Sequence, residues 1–172
     1  MTALPALYIE TIHATPPSRP SAGMTADALD RLCRQLVDAG VHSPSVVALM
    51  RGRLWHVDSN PAVLLCLGDA RPEILGRWAR LSEATYATLL AVSADDLGSP
   101  EHLRASDVGL LTGHGIVLAS RGHASDALVD LSVRQLRESL RRDRREFSEF
   151  VGYLPRFLIP RSPTLGASID RL

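Results

Sequence analysis

The sequence contains no lysine: all nineteen of its basic residues are arginine, and they balance nineteen acidic residues. The absence of lysine excludes Schiff-base chemistry and the phosphate-binding lysine of P-loop enzymes. The zero net charge gives no electrostatic argument for a dedicated nucleic-acid-binding protein. With 45% hydrophobic and 22% charged residues, the composition is that of an ordinary soluble globular protein.

Cysteine is also scarce. Cys33 and Cys66 are too few for a disulfide framework and stand in apolar segments, so we expect buried free thiols, which suit a reducing cytoplasm. No apolar run approaches the roughly 18 residues of a membrane span. The N-terminal residues lack the basic start of a signal peptide. We therefore expect a cytoplasmic protein without a membrane span.

Motifs of catalysis and metal binding are missing as well. The six histidines form no H-x-x-x-H or H-E-x-x-H pair, and no G-x-S-x-G elbow marks a nucleophilic serine. Asp95 and Asp96 form a carboxylate pair, but such a pair at a helix end is typically solvated or capping. We therefore expect no catalytic residue, no metal and no cofactor.

Local patterns predict the element order α-βββ-α-ββ-α. Because these strands do not alternate regularly with helices, a doubly wound parallel sheet is disfavoured. We predict an α+β fold with a mainly antiparallel five-stranded sheet and three helices. The predicted strands are 45–51, 54–58, 62–67, 108–112 and 116–120, and the predicted helices are 25–39, 72–94 and one from Ser125 or Asp126 to Gly152.

Proline clusters set the predicted domain boundaries. Residues 1–23 form an N-terminal extension with a candidate edge strand at 6–13 and a proline-rich linker at 15–23. Residues 24–151 form the domain, and residues 152–172 form a tail interrupted by prolines.

The sharpest charge feature is the segment 134–145, in which six of twelve residues are arginine. On the last predicted helix these arginines form a solvated face opposite an apolar stripe, which is the interpretation we favour. The alternative is a surface for an anionic partner such as a nucleic acid.

The predicted strands are apolar on both faces, and three helices cannot easily cover both, so the surplus predicts a partner-binding surface. The predicted partner-binding residues are Leu29, Leu32, Leu36, Val47, Leu49, Leu54, Trp55, Val57, Val63 and Leu65. The helix 72–94 is apolar on more than one side, which predicts a two-fold dimer interface that it shares with strand 108–112. The predicted interface residues are Trp78, Leu81, Tyr86, Leu89 and Leu110.

In its element order over 24–151, and in the segments 107–121 and 126–131, the sequence resembles the class I chaperones of type III secretion. Within that family it is most similar to the general multi-effector chaperones of plant-pathogen systems. The resemblance implies a cytoplasmic homodimer without enzymatic activity that keeps secreted effector proteins secretion-competent and works with the secretion-system ATPase. An extended effector segment would add a strand to a sheet edge.

Two alternatives remain open beside the chaperone. One is a small α+β enzyme without a recognisable motif. The other is an adaptor that binds an anionic partner through the arginine-rich last helix.

Overall fold

The computed structural model describes residues 6–9, 12–13, 24–51, 61–68, 86–99, 102–122 and 130–159. A short 3-10 helix at Ala94–Asp96 follows the strand Thr88–Val92. Within these ranges no helix is long and apolar enough to cross a lipid bilayer. The strands and helices are β1 (Ala6–Ile9), β2 (Ile12–His13), β3 (Met24–Thr25), α1 (Ala26–Asp38), α2 (Val46–Met50), β4 (Leu64–Gly68), β5 (Thr88–Val92), α3 (Ala105–Gly113), β6 (Ile116–Ser120) and α4 (Val133–Val151).

The main sheet is parallel throughout. Its strand order is β1-β4-β5-β6, and β2 and β3 form a separate short parallel pair. The predicted α+β fold with a mainly antiparallel five-stranded sheet is therefore wrong. Each strand of the main sheet lies beside the one before it, so the sheet is wound in one direction. Among the described helices, α1, α3 and α4 lie on one face of this sheet, and α2 lies on the other.

Apolar residues cover both faces of this sheet. On one face the strands pack against α1, α3 and α4 through Leu29, Leu111 and Phe147, among other buried residues. On the other face they pack against α2 through Leu49 and against the C-terminal segment through Phe157. Every residue of β4, β5 and β6 is buried as a result. This two-sided burial explains why the strand segments lack the alternation of a half-exposed strand.

Helix α1 confirms the sequence prediction. The Thr25 hydroxyl accepts a hydrogen bond from the backbone N–H of Ala28 at 3.2 Å, which caps the helix. Leu29 and Cys33 face the core, while Arg34 pairs with Asp30 at 2.6 Å.

Helix α4 starts later than predicted, because Ser132 rather than Ser125 or Asp126 provides its N-terminal cap. Its predicted end is confirmed, since Gly152 adopts φ 81°, a left-handed conformation that favours glycine. The six arginines between 134 and 145 are all exposed, which confirms the predicted solvated face.

Three predicted elements have the wrong type. Residues 46–50 form a helix rather than a strand, because the Ser45 hydroxyl accepts from the Ala48 N–H at 3.1 Å. Residues 105–113 also form a helix, where Asp107 accepts from the Arg104 N–H at 2.8 Å. Residues 88–92 form a strand within the predicted helix 72–94. The predicted strand 54–58 and residues 72–85 of that helix lie outside the described residues.

The C-terminal segment closes the outer edge of β6. The N–H of Ser120 donates to the carbonyl of Phe157 at 3.0 Å, and the N–H of Ile159 donates to the carbonyl of Ser120 at 2.8 Å. The N–H of Leu118 donates to the Tyr153 hydroxyl at 3.0 Å. Part of the predicted tail is therefore docked in parallel beside β6.

We expect Tyr153→Phe to lower the free energy of unfolding by about 1–2 kcal/mol, because it removes the acceptor of a part-buried backbone N–H. Leu154→Ala is the matched control: Leu154 is the next residue, has 43% of its surface exposed and should change stability by less than about 0.5 kcal/mol. Urea unfolding of the two variants and the parent measures both values. Equal stability of Tyr153→Phe and the parent would contradict the role of this hydrogen bond.

Both cysteines are buried free thiols, as predicted. Burial raises the pKa of Cys33 and of Cys66 to about 11, and the Asp30 carboxylate adds to the effect at Cys33. We expect iodoacetamide at pH 8 to alkylate the native chain at least about 100-fold more slowly than the unfolded chain, because the thiolate is the nucleophile. Mass spectrometry of timed samples measures the two rates.

The same pKa values predict a loss of stability at high pH. Because the unfolded chain ionises its thiols first, the thiol contribution to the free energy of unfolding is complete below pH 9 and declines between pH 9 and 11. A Cys33→Ala, Cys66→Ala double variant serves as the control and should lack this part of the decline. Rapid alkylation of either thiol in the native chain would contradict both expectations.

Candidate functional site

The carboxyl ends of the parallel strands meet at one edge of the sheet. In α/β folds built on parallel strands, ligands bind at this edge, where the loops that follow the strands converge. Polar residues follow two neighbouring strands here: Ser93 directly follows β5, and Arg121 directly follows β6. We call Tyr8, Ser93, Ser120, Arg121 and Asp143 the carboxyl-edge site.

Hydrogen bonds fix the backbone on both sides of Arg121. The Ser120 hydroxyl donates to Oδ2 of Asp143 on α4 and accepts from the N–H of Gly122 at 2.9 Å. The N–H of Arg121 donates to the carbonyl of Val92 at 2.8 Å. Asp143 is 2% exposed, so this buried carboxylate ties the end of β6 to α4. These contacts hold the Arg121 backbone in one position.

The Arg121 side chain lies on the face of the sheet opposite to Ser120, because neighbouring strand residues point to opposite faces. Its Nη2 donates to the Tyr8 hydroxyl at 3.2 Å. Tyr8 belongs to β1, at the far edge of the sheet order from β6. The two side chains therefore meet across β4 and β5.

The sheet beneath this contact carries small residues. The strand register aligns Gly68 of β4 with Ala91 of β5 and with Ala119 of β6. These three positions form one row near the carboxyl ends of the strands. All three residues are buried, and Ala91 and Ala119 have no exposed surface.

A second polar cluster lies in the segment that follows β5. Nδ1 of His102 is 2.7 Å from the Ser99 hydroxyl oxygen, and its Nε2 is 4.0 Å from Oδ2 of Asp96. The Ser99 hydroxyl donates to the carbonyl of Asp96 at 3.1 Å, so it accepts its other hydrogen bond from Nδ1–H. This arrangement leaves Nε2 of His102 as the ring nitrogen able to take up a proton.

A cavity of about 680 Å³ opens at the opposite, amino-terminal edge of the strands. Tyr86, Ala87, His114 and Gly115 contribute to its lining. The fold itself uses polar groups at this edge: the Tyr86 hydroxyl bonds the carbonyls of His42 and Val63, each at 3.2 Å. Burial raises the pKa of Tyr86, and Cys33 raises it further. The phenol therefore stays a hydrogen-bond donor at neutral pH. We assign function to the carboxyl edge instead, because the loops that carry chemistry in parallel-strand folds gather there.

The described part of the chain contains no group of three His, Cys, Asp or Glu side chains that could hold a metal ion. Catalytic zinc sites use three protein ligands of these types. We therefore assign no metal ligand among the described residues.

The predicted partner-binding residues occupy different places in the fold. Leu29 and Leu49 are fully buried on opposite faces of the sheet, and Val47 is 56% exposed. Whether the set contacts a partner stays a prediction. Leu65 is buried, Leu32, Leu36 and Val63 are half-buried, and Leu54, Trp55 and Val57 lie outside the described residues.

The predicted dimer residues also differ in where they lie, some in the core and one at the surface. Tyr86 and Leu89 lie in the core, at 3% and 1% exposure, whereas Leu110 is 53% exposed. Trp78 and Leu81 lie outside the described residues. The two-fold interface stays a prediction.

The residues of the carboxyl-edge site were missed by sequence reasoning. The available signal was a polar pair, Ser120 and Arg121, at the end of a continuous apolar run. No local signal links that pair to Tyr8 or to Asp143, because both contacts span many residues of sequence.

No family model and no curated protein matches the sequence. Solved structures do match. The chain is similar to the Streptococcus pyogenes deacetylase PplD in complex with acetate, with a TM-score of 0.72 and 14% identity over 88% of this chain and 70% of that one. It is similar to a de-N-acetylase from Aggregatibacter actinomycetemcomitans, with a TM-score of 0.66 and 13% identity over 97% and 84%. It is also similar to BC0361, a polysaccharide deacetylase from Bacillus cereus, with a TM-score of 0.69 and 12% identity over 88% and 48%.

These similarities overturn the predicted type III secretion chaperone. The chain shares its parallel α/β fold with deacetylase structures and lacks the antiparallel sheet on which the resemblance to chaperones depended. The expected effector partners, the secretion-system ATPase and the expectation of a protein without enzymatic activity depended on that resemblance and are wrong with it. At identities of 12–15%, the similarity establishes the fold that this chain shares with those proteins.

Proposed function

We propose that this chain is an enzyme that removes acyl groups from a polysaccharide by hydrolysis. The observation that carries the proposal is the similarity of 88–97% of the chain to structures of a deacetylase, a de-N-acetylase and a polysaccharide deacetylase. The proposal agrees with the small-enzyme alternative considered from the sequence.

The proposed reaction is the hydrolysis of an N-acetyl group. The oxygen of a water molecule forms a bond to the acyl carbon, the C–N bond breaks, and a proton from the water passes to the departing nitrogen. The products are acetate and a free amine on the sugar. A general base must accept the proton of the attacking water and return it to the nitrogen.

Among the described residues, His102 has the arrangement that this role requires. Ser99 occupies its Nδ1 and orients the ring, so Nε2 is free to accept a proton. The Asp96 carboxylate, 4.0 Å from Nε2, would stabilise the imidazolium that forms. The segment follows β5 and therefore belongs to the carboxyl end of the sheet.

The cytoplasmic location inferred from the composition stays a prediction. The two free, buried thiols support it, because they match a reducing compartment. Fractionation of the source cells, with detection of this chain in each fraction, tests it.

We expect the full chain to release acetate from oligomers of N-acetylglucosamine and to produce an equal amount of free amine. An acetate assay and amine labelling measure the two products. The assay runs with and without added zinc, since metal-assisted hydrolysis is a common alternative route. No acetate release under either condition, from oligomers of several lengths, would contradict the proposed function.

A pair of histidine variants tests which edge of the sheet carries the chemistry. We expect His102→Gln to lower kcat by about 10²- to 10⁴-fold, because it removes the general base. His114→Gln is the matched control: His114 lines the cavity at the amino-terminal edge and should leave kcat unchanged. The opposite result, with loss of activity only in His114→Gln, would move the active site to that cavity.

A further inference from the structure

We propose that Phe150 of α4 is a positioning residue for His102: its ring fixes the backbone that holds the imidazole in the orientation a general base requires. The inference rests on the proposed function, in which His102 is the base, and adds the part of the fold that keeps it in place. It is carried by the contact between Phe150, near the end of α4, and Gly98, in the segment that follows β5.

Residues 96–99 and 102–103, which we call the His102 segment, are joined by backbone hydrogen bonds. The N–H of Gly98 donates to the carbonyl of Leu103 at 2.8 Å, and the N–H of His102 donates to the carbonyl of Ser99 at 3.1 Å. In the chain, Gly98 lies between Asp96 and Ser99, the two residues whose side chains approach the imidazole. A displacement of the backbone at Gly98 therefore disturbs both of these contacts.

Phe150 lies so close to Gly98 that little room is left for a side chain there. A Cβ atom on Gly98 would lie 3.1 Å from Cε2 of Phe150, and the next nearest atoms, Cδ2 at 3.8 Å and Cζ at 3.9 Å, belong to the same ring. Carbon atoms in favourable contact are about 3.5–4.0 Å apart. Gly98 also has a φ of 80°, which favours glycine. The backbone of the His102 segment is therefore packed directly against the ring.

Helix α4 holds this ring in a fixed place. Asp143 of α4 accepts a hydrogen bond from the Ser120 hydroxyl at the end of β6, and Phe147 is fully buried in the core. Phe150 is half-buried and packs against the same core cluster. The contact between Ser120 and Asp143 thus fixes, relative to the carboxyl ends of the strands, the helix from which Phe150 reaches Gly98.

The imidazole depends on this support because its own contacts are few. The side chains of His102 and Asp96 are 30% and 24% exposed, and the 4.0 Å between Nε2 and Oδ2 is too long for a hydrogen bond. The 2.7 Å contact between Nδ1 and Ser99 therefore decides which ring nitrogen carries the proton. Misplacement of a catalytic group by about 1 Å can lower a rate about 100-fold. Loss of the Phe150 ring should release the Nδ1 contact.

The tautomer of His102 tests the inference directly. Long-range proton–nitrogen NMR of the full chain distinguishes a proton on Nδ1 from one on Nε2, and His102→Gln assigns the signal. We expect the parent to carry the proton on Nδ1 and Phe150→Ala to move a measurable fraction of it to Nε2. Phe150→Met, whose side chain can still reach Gly98, should keep the parent signal. Phe157→Ala is the matched control: it removes a half-buried ring on the other face of the sheet and should also keep that signal.

Acetate release from oligomers of N-acetylglucosamine gives a second readout. We expect Phe150→Ala to lower kcat by about 10- to 100-fold and to leave KM within about twofold, because the ring positions the base without contacting substrate. Phe150→Met and Phe157→Ala should retain the parent kcat. If Phe150→Ala fails to fold, Gly98→Ala replaces it: the added methyl group meets the ring from the other side and should change the tautomer and kcat in the same direction.

The outcomes separate this inference from the proposed function. An unchanged tautomer or an unchanged kcat in Phe150→Ala would overturn the inference and leave acetate release by the parent intact. An equal change of tautomer in Phe157→Ala would also overturn it, because the effect would then be a general loss of packing. A change of tautomer confined to Phe150→Ala, in a chain whose parent releases no acetate, would support the positioning of His102 and contradict the proposed function.

Discussion

The burial of one parallel sheet on both faces determines most of this structure. Parallel strands cannot be joined by tight hairpins, so each connection must cross over the sheet. Helices α1, α3 and α4 cover one face. The other face is covered by α2 and by the C-terminal segment. Because water is excluded from both faces, every position of β4, β5 and β6 must be apolar or internally hydrogen-bonded. The same constraint brings all four carboxyl ends to one edge, where polar residues gather.

Local sequence signals predicted those parts of the fold that depend on local interactions. Thr25 and Gly152 mark helix ends because capping is decided within one turn, and 116–120 is a strand because it is short, branched and bounded by glycine. Residues 46–50 and 105–113 look apolar and short as well, but hydrogen bonds at Ser45 and Asp107 turn them into helices. The direction of strand pairing is decided by contacts between distant segments, so the apolar runs were assigned to an antiparallel sheet. That error led to the chaperone resemblance.

The candidate site also depends on contacts between distant segments, which local sequence signals do not predict. Arg121, Tyr8 and Asp143 are ordinary residues in the sequence, and none belongs to a recognisable motif. Their relation appears only in the folded sheet, where Arg121 reaches Tyr8 of β1 across β4 and β5, and Ser120 of β6 bonds Asp143 of α4. The sequence contains eighteen other arginines, so composition does not single out Arg121. The densest arginine cluster, on α4, is a solvated surface. Among the arginines of the described residues, Arg121 is distinguished by burial, which only the fold provides.

The parallel pairing of residues 157–159 with β6 has a consequence for how the chain folds. The segment that closes the sheet edge comes from the end of the described chain, so during synthesis the N–H and C=O groups of Ser120 stay unpaired until this segment has left the ribosome. An unpaired strand edge is a template for association with other chains. Because long-range parallel pairing is also slow, we expect self-association to compete with folding in newly made chains. We therefore expect the C-terminal segment to affect the yield of folded protein as well as its final stability.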